Sequence, residues 1–276
     1  MRSMQKVHLR RMVGRLEFKL ACCLSVLACT ASFVEECMGY FGYDGTVLPS
    51  AALAWVGHYA ANGITFLPLY FFILFPVVIT SVYSDSLTLD RLKGMASILA
   101  VRSNLTDYLR SIVGAIATGT FCVTTIPLFA TLMLSLTLFP LTSSEYGMKI
   151  TMYDTLDTMG SNYGLLLGNL FVSHPYLYDI LRITYIGLFA AVIGIACFVA
   201  SLYVRKSRFV LGGATAGTYL VATLILPPPL RPGNLLLPTF FLDGLDLAQW
   251  IGIPLVILAC SMCALIYAMR RLDVLL

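Results

Sequence analysis

Residues 83–110 read YSDSLTLDRLKGMASILAVRSNLTDYLR. This is the longest charged, helix-compatible passage between two strongly apolar segments, and the fold turns on how it is read. Leu89, Leu92, Ala96 and Leu99 recur at helical spacing, whereas Asp90, Arg91, Lys93 and Ser97 fall elsewhere on the wheel. The pattern predicts a short amphipathic helix over 88–100, lying under a membrane with one greasy and one polar face. Asn104 stands at an N-cap position with Asp107 three residues on, which predicts a new helix running from there into the bilayer. A polar helix slung between two membrane spans is placed where a soluble partner can push on it.

Composition sets the class around that stretch. Apolar residues make up 59% of the 276 residues and charged residues 12%, with a mean hydropathy of +0.86. Soluble domains carry about twice that share of charge. No alternating ten-residue pattern of the barrel kind is present, so the reading is an all-α integral membrane protein. Hydropathy predicts six spans, over 20–34, 64–82, 111–140, 183–204, 209–226 and 251–269. Pro68 and Pro76 are expected to bend the second.

The connections divide by charge. Of the 18 Lys and Arg, all but Lys149, Arg182 and Arg231 fall on one side of the six-span plan, which places both termini in the cytoplasm. On that inner side lie residues 1–19 and the loop 84–110. In 1–19, Met4, Leu9, Met12, Val13 and Leu16 can share a face, while Lys6, Arg10, Arg11, Arg15 and Lys19 cover the rest. That segment is either a plain basic anchor or a helix lying in the cytoplasmic interface. On the outer side lie 35–63, 141–181 and 227–250. The last opens with Pro227-Pro228-Pro229-Leu230-Arg231-Pro232-Gly233, which cannot be helical. It reads either as an outer loop or as a re-entrant segment between spans 5 and 6. The whole of 1–276 is one transmembrane domain.

The sequence Asp90-Arg91-Leu92-Lys93-Gly94, then Leu99, Arg102-Ser103, Tyr108 and Arg110, resembles the loop between the second and third spans of ABC-2 type permeases. These are the membrane halves of ATP-driven transporters. The family usually has Glu in place of Asp90 and often Pro in place of Val101. Its basic pair and acid after the last span are matched by Arg270-Arg271-Leu272-Asp273. The resemblance implies an N-terminal interfacial helix, a cytoplasmic coupling helix between spans 2 and 3, and short re-entrant helices before the last span. It assigns Asp90, Arg91, Lys93, Gly94 and Arg102 to coupling with an ATPase.

The resemblance also implies partners. These are separate cytoplasmic ABC ATPase subunits that bind ATP and Mg, and a second permease, identical or related, in membrane lipid. The setting is a bacterial cytoplasmic membrane. No cofactor, enzymatic activity or nucleic acid is expected of this chain itself. The absence of a GxxxxGK[ST] phosphate loop fits that division of labour. No ionisable residue falls near the middle of a predicted span, which argues against a proton- or ion-coupled carrier. Short outer segments and apolar spans lean toward a hydrophobic or amphipathic cargo (peptide, lipid or drug), with Tyr70, Phe71, Phe72 and Phe75 as candidate lining. The alternative is a non-transporting scaffold or sensor whose loop docks a cytoplasmic partner. Of the eight cysteines, all but Cys37 fall in spans as small apolar residues, and Cys260-x-x-Cys263 lacks a second ligand pair for a metal.

Overall fold

A computed structural model describes residues 2–42, 48–52, 54–57, 66–92, 94, 105–141, 166–203, 208–227, 230–237 and 246–271. Within these the chain is helical, with no strand. In order come α1 (Arg2–Val13), α2 (Leu16–Gly39), α3 (Phe66–Leu69), a π-helical turn (Tyr70–Leu74), α4 (Phe75–Tyr83) and α5 (Ser86–Leu92). Then follow α6 (Leu105–Leu138), α7 (Gly168–Ser173), α8 (Pro175–Tyr203), α9 (Arg208–Ile225), α10 (Pro232–Leu236) and α11 (Leu247–Arg271). Five helical stretches are long and apolar enough to cross a membrane: α2, the run Phe66–Asp90, α6, α8 and α11. The apolar part of α9, Gly212–Ile225, is shorter.

α8 and α6 form the centre of the bundle and pack more extensively than any other pair. Small residues allow the approach. A Cβ added at Gly187 would overlap Thr125 and Phe121, and one at Gly194 would stand 2.9 Å from Thr120 Cγ2. The threonines facing this seam turn their hydroxyls back into their own helix, Thr120 to Ile116 O at 2.8 Å and Thr125 to Phe121 O at 2.8 Å. α2 packs against α4 and α6, and α9 against α4.

Pro76 of the second predicted span acts through the π turn. In that turn the Phe75 N–H reaches back to Tyr70 O. In the same register the next donor would serve Phe71 O, but residue 76 is proline and has no N–H. The Tyr219 hydroxyl of α9 supplies it instead, at 2.8 Å. The expected bend is therefore a change of helical register, sealed by a side chain from another helix.

Several sequence boundaries are corrected. The 1–19 segment is two pieces: α1 ends at Val13, Arg15 is extended (φ −78°, ψ 143°), and α2 begins at Leu16. Val13 and Leu16, grouped above with the apolar face, are 53% and 67% exposed. α2 runs on to Gly39, so Glu35 and Glu36 are helical, and Glu36 is buried. Residues 48–52 and 54–57, read as part of an outer segment, fold inward with Ala51, Ala54, Trp55 and Val56 buried. Trp55 Nε1 donates to Leu128 O (3.3 Å) and Thr131 Oγ1 (3.2 Å). Leu128 lies about 15 Å back from the end of α6 at 1.5 Å per residue. The fourth predicted span starts too late: α8 begins at Pro175 and takes Asp179 and Arg182 into the bundle, both buried. Most of 141–181, and 228–229 and 238–245 of the last connection, lie outside the described residues.

Candidate functional site

The two ends of the bundle are defined by what closes them. At the proximal end α1 lies across the start of α6 and the end of α4. At the distal end the α10 turn caps the start of α8 and α11. The loop singled out in the sequence belongs to the proximal end.

Asp90 is on α5, 7% exposed, and accepts a 2.7 Å hydrogen bond from the hydroxyl of Tyr108 in the first turn of α6. It thus faces into the protein and clamps the two sides of the loop together. Beside it the hydroxyl of Tyr83, the last residue of α4, shares a 3.1 Å hydrogen bond with His8 Nδ1 of α1. The His8 ring also lies 5.4 Å from the ring of Tyr108. His8, Tyr83 and Tyr108 are each 1% exposed. Arg15, just after α1, donates from Nη1 to Asp85 Oδ1 at 2.9 Å and carries its guanidinium 4.4 Å above the Tyr83 ring. Five segments therefore meet in one polar knot: α1, its exit turn, the end of α4, α5 with the turn before it, and the start of α6.

Electrostatics fix the charge state of the histidine. Burial pushes the His8 imidazole down from its ordinary value near 6.5 to about 4, Arg11 and Arg15 push the same way, and Asp90 opposes them. His8 is neutral at pH 7. A cation there would be buried beside two arginines, so the joint is built for the uncharged ring. Packing supports the polar contacts, since a Cβ added at Gly119 of α6 would overlap Met12 of α1.

The other predicted coupling residues fall as follows. Arg91 lies within α5. That helix ends at Leu92, and Gly94 is exposed with φ +66°, a left-handed backbone that stops a helix and suits glycine. Of the amphipathic helix predicted over 88–100, residues 88–92 are helical and Gly94 interrupts the run, while 95–100 lie outside the described residues. Lys93 and Arg102 lie outside the described residues, as does Asn104, although α6 does begin at Leu105. Sequence reasoning missed His8, Arg15, Tyr83 and Asp85. The signal available was a His and an Arg seven residues apart on a basic helix, with no means of pairing them across about 70 positions.

The aromatic candidates for a cargo path sit elsewhere. Tyr70, Phe71 and Phe75 are 2%, 1% and 0% exposed and pack on one another, with centroids 5.2 Å (Tyr70–Phe71) and 5.4 Å (Phe71–Phe75) apart. The Tyr70 hydroxyl bonds Ser25 Oγ at 2.8 Å. Phe72 is partly buried against Gly233 of α10. Within this chain these rings form core around the π turn. No family model, curated protein or solved structure matches the chain, so the reading of the proximal knot rests on its own geometry.

Proposed function

We propose that this chain is the transmembrane subunit of an ATP-driven exporter of the ABC-2 type. In this reading α2, the run 66–92, α6, α8, α9 and α11 make six crossings. The 18 residues of α9 give about 27 Å, close to the ~30 Å hydrocarbon thickness of a bilayer. The proximal end faces the cytoplasm. Lys6, Arg10, Arg11, Arg15 and Lys19 gather there, whereas the distal cations among the described residues are Arg182 and Arg231.

One observation carries the proposal. The end of the second crossing does not run free toward the loop: Asp90 accepts from Tyr108 of α6, Tyr83 shares a hydrogen bond with His8 of α1, and Asp85 takes Arg15 of the turn between α1 and α2. A push delivered at the 90–94 corner by a separate ATPase would then move α1, α4 and α6 together. The cargo is of the membrane-partitioning kind, a hydrophobic or amphipathic molecule, passing between this chain and a second permease. The second reading, a membrane scaffold or sensor, draws on the inward turn of Asp90, which leaves that carboxylate to the chain itself and not to a partner.

The test is co-purification with an ABC ATPase followed by ATP hydrolysis of the reconstituted complex. Asp90→Lys combined with Arg91→Glu breaks a buried charged contact, an effect on the order of 2–5 kcal/mol. Cargo-dependent hydrolysis should fall at least about tenfold with the chain still inserted. Unchanged hydrolysis would remove the exporter reading and leave the scaffold.

A further inference from the structure

We propose that the outward face of α1, continued by the first turns of α2, is a binding surface for anionic phospholipid headgroups. This rests on the chain being embedded in a membrane and not on its working as an exporter.

The two faces of α1 have different surroundings. His8 and Met12 are buried against α4 and α6, with Met4 and Leu9 partly buried beside them. On the other side Lys6, Val7, Arg10 and Val13 are exposed and, at 3.6 residues per turn, lie along one stripe. Val7 is 50% and Val13 53% exposed. After the Gly14–Arg15 turn, α2 presents Leu16, Lys19, Leu20, Cys23, Leu24 and Leu27, all exposed and spaced as one helical face. That is the face a membrane-crossing helix turns to acyl chains, and Lys19 sits at its base.

Charge and hydrophobicity together choose the ligand. Among the described residues the one ion pair is Arg15–Asp85, which leaves Lys6, Arg10 and Lys19 without an acidic partner. Glu17, the single acid before residue 35, is partly buried at the edge of this face. An acidic soluble protein would match the cations but not Val7, Val13, Leu16 and Leu20, which run without a break into the acyl-facing surface. Negative charge and hydrocarbon at adjacent depths are what the headgroup boundary of an anionic bilayer offers. The inner face of the same helix is bonded to the proximal knot, so headgroup charge bears directly on the helix that holds the knot.

The test uses the full-length chain in nanodiscs of phosphatidylcholine alone or mixed with phosphatidylglycerol, with amide hydrogen exchange read across residues 4–13. Phosphatidylglycerol should slow exchange on the order of tenfold, within a ceiling of about fivefold per cation. High salt should abolish the effect, because the screening length falls to about 3 Å at 1 M. The variant Lys6→Gln, Arg10→Gln, Lys19→Gln should lose the response while exchanging like wild type in phosphatidylcholine. Equal exchange in both lipids, or a triple variant that still responds, overturns the proposal. So does protection that appears only when an ATPase subunit is added, which would assign the face to a protein. No ATPase is present in the lipid arms, so a failure of the exporter reading leaves their result unchanged.

Discussion

The two ends of the bundle are each closed by an arginine and aromatic rings, yet they are bonded in different ways. At the proximal end the contacts run from side chain to side chain: His8 to Tyr83, Tyr108 to Asp90, Arg15 to Asp85. At the distal end they run from side chain to main chain. Arg182 donates to Leu236 O at 2.6 Å, the Tyr185 hydroxyl to Trp250 O at 3.0 Å, and Trp250 Nε1 to Leu235 O at 3.3 Å. Tyr185 and Trp250 also stack at 3.8 Å. A carbonyl cannot change its charge or swing away on a rotamer, whereas an imidazole or a carboxylate can do both. The distal end is therefore framework, and the proximal end is the part a partner or a proton can rearrange.

That contrast breaks first, and hardest, at Arg182. Its side chain is buried, with Asp179 one turn back on α8. Arg182→Met removes the donor to the buried Leu236 carbonyl and the cation nearest the Asp179 carboxylate, an expected loss of about 3 kcal/mol. Arg182→Lys should recover only part of it, because an ammonium lacks the planar fork. Arg15→Gln, by comparison, removes a pair whose side chains are 19% and 13% exposed, and about 1 kcal/mol is expected. Thermal unfolding in detergent ranks the three. If Arg182→Met melts no lower than Arg15→Gln, the distal end is not the stiffer of the two.

Smaller effects sharpen the division. Tyr219→Phe leaves Phe71 O without the donor that Pro76 cannot give, a loss of about 1–3 kcal/mol spread through the second span. Tyr108→Phe has a similar expected magnitude but a local reach. Hydrogen exchange should speed up across 86–92 and α1 while 230–237 stays as in wild type. Acceleration at both ends would mean that the two junctions are coupled through α8 and not separable.

The helical class, five of the six predicted apolar passes and the start of α6 were legible because each depends on local composition and spacing, whereas the apolar part of α9 is shorter than the other five. Hydropathy placed Arg182 just outside a span for a physical reason. A window average treats an arginine as solvent-seeking, whereas this one is satisfied inside by a carbonyl 54 residues away. Trp55 was read as loop for the same cause, its partners Leu128 and Thr131 being invisible to any local window. The leucine spacing behind the helix over 88–100 carries no sign that Gly94 takes a left-handed backbone just after α5 ends. The knot itself was half legible. Asp90 is marked in the sequence by the resemblance and by its place on the polar side of the leucine pattern, which points it at a partner and not at Tyr108. Polar pairing over long separations leaves no periodic trace, so His8 passes as one more polar residue on a basic helix.

The last and smallest expected effect is acid sensitivity confined to the proximal end. The bound form of His8 titrates near 4 and a released imidazole near 6.5, so between those values the released state takes up a proton that the docked state refuses. Docking of α1 is then at full strength above about pH 6.5, weakens as pH falls through that window, and has lost all it can lose below about pH 4. At about pH 5.5 the loss is roughly 1 kcal/mol, since one pH unit corresponds to about 1.4 kcal/mol. Hydrogen exchange over residues 4–13, corrected for the intrinsic pH dependence of the chemistry, should report about fivefold more opening than at pH 7. Segment 230–237, held by main-chain acceptors, should not move. His8→Phe removes the titrating ring while keeping a ring in the space between Tyr83 and Tyr108, so its α1 should open more readily at pH 7 and respond little to acid. If wild type and His8→Phe lose protection in parallel, the acid acts on carboxylates throughout the bundle. The neutral imidazole would then be a packing element and not the pin that holds α1 to the loop.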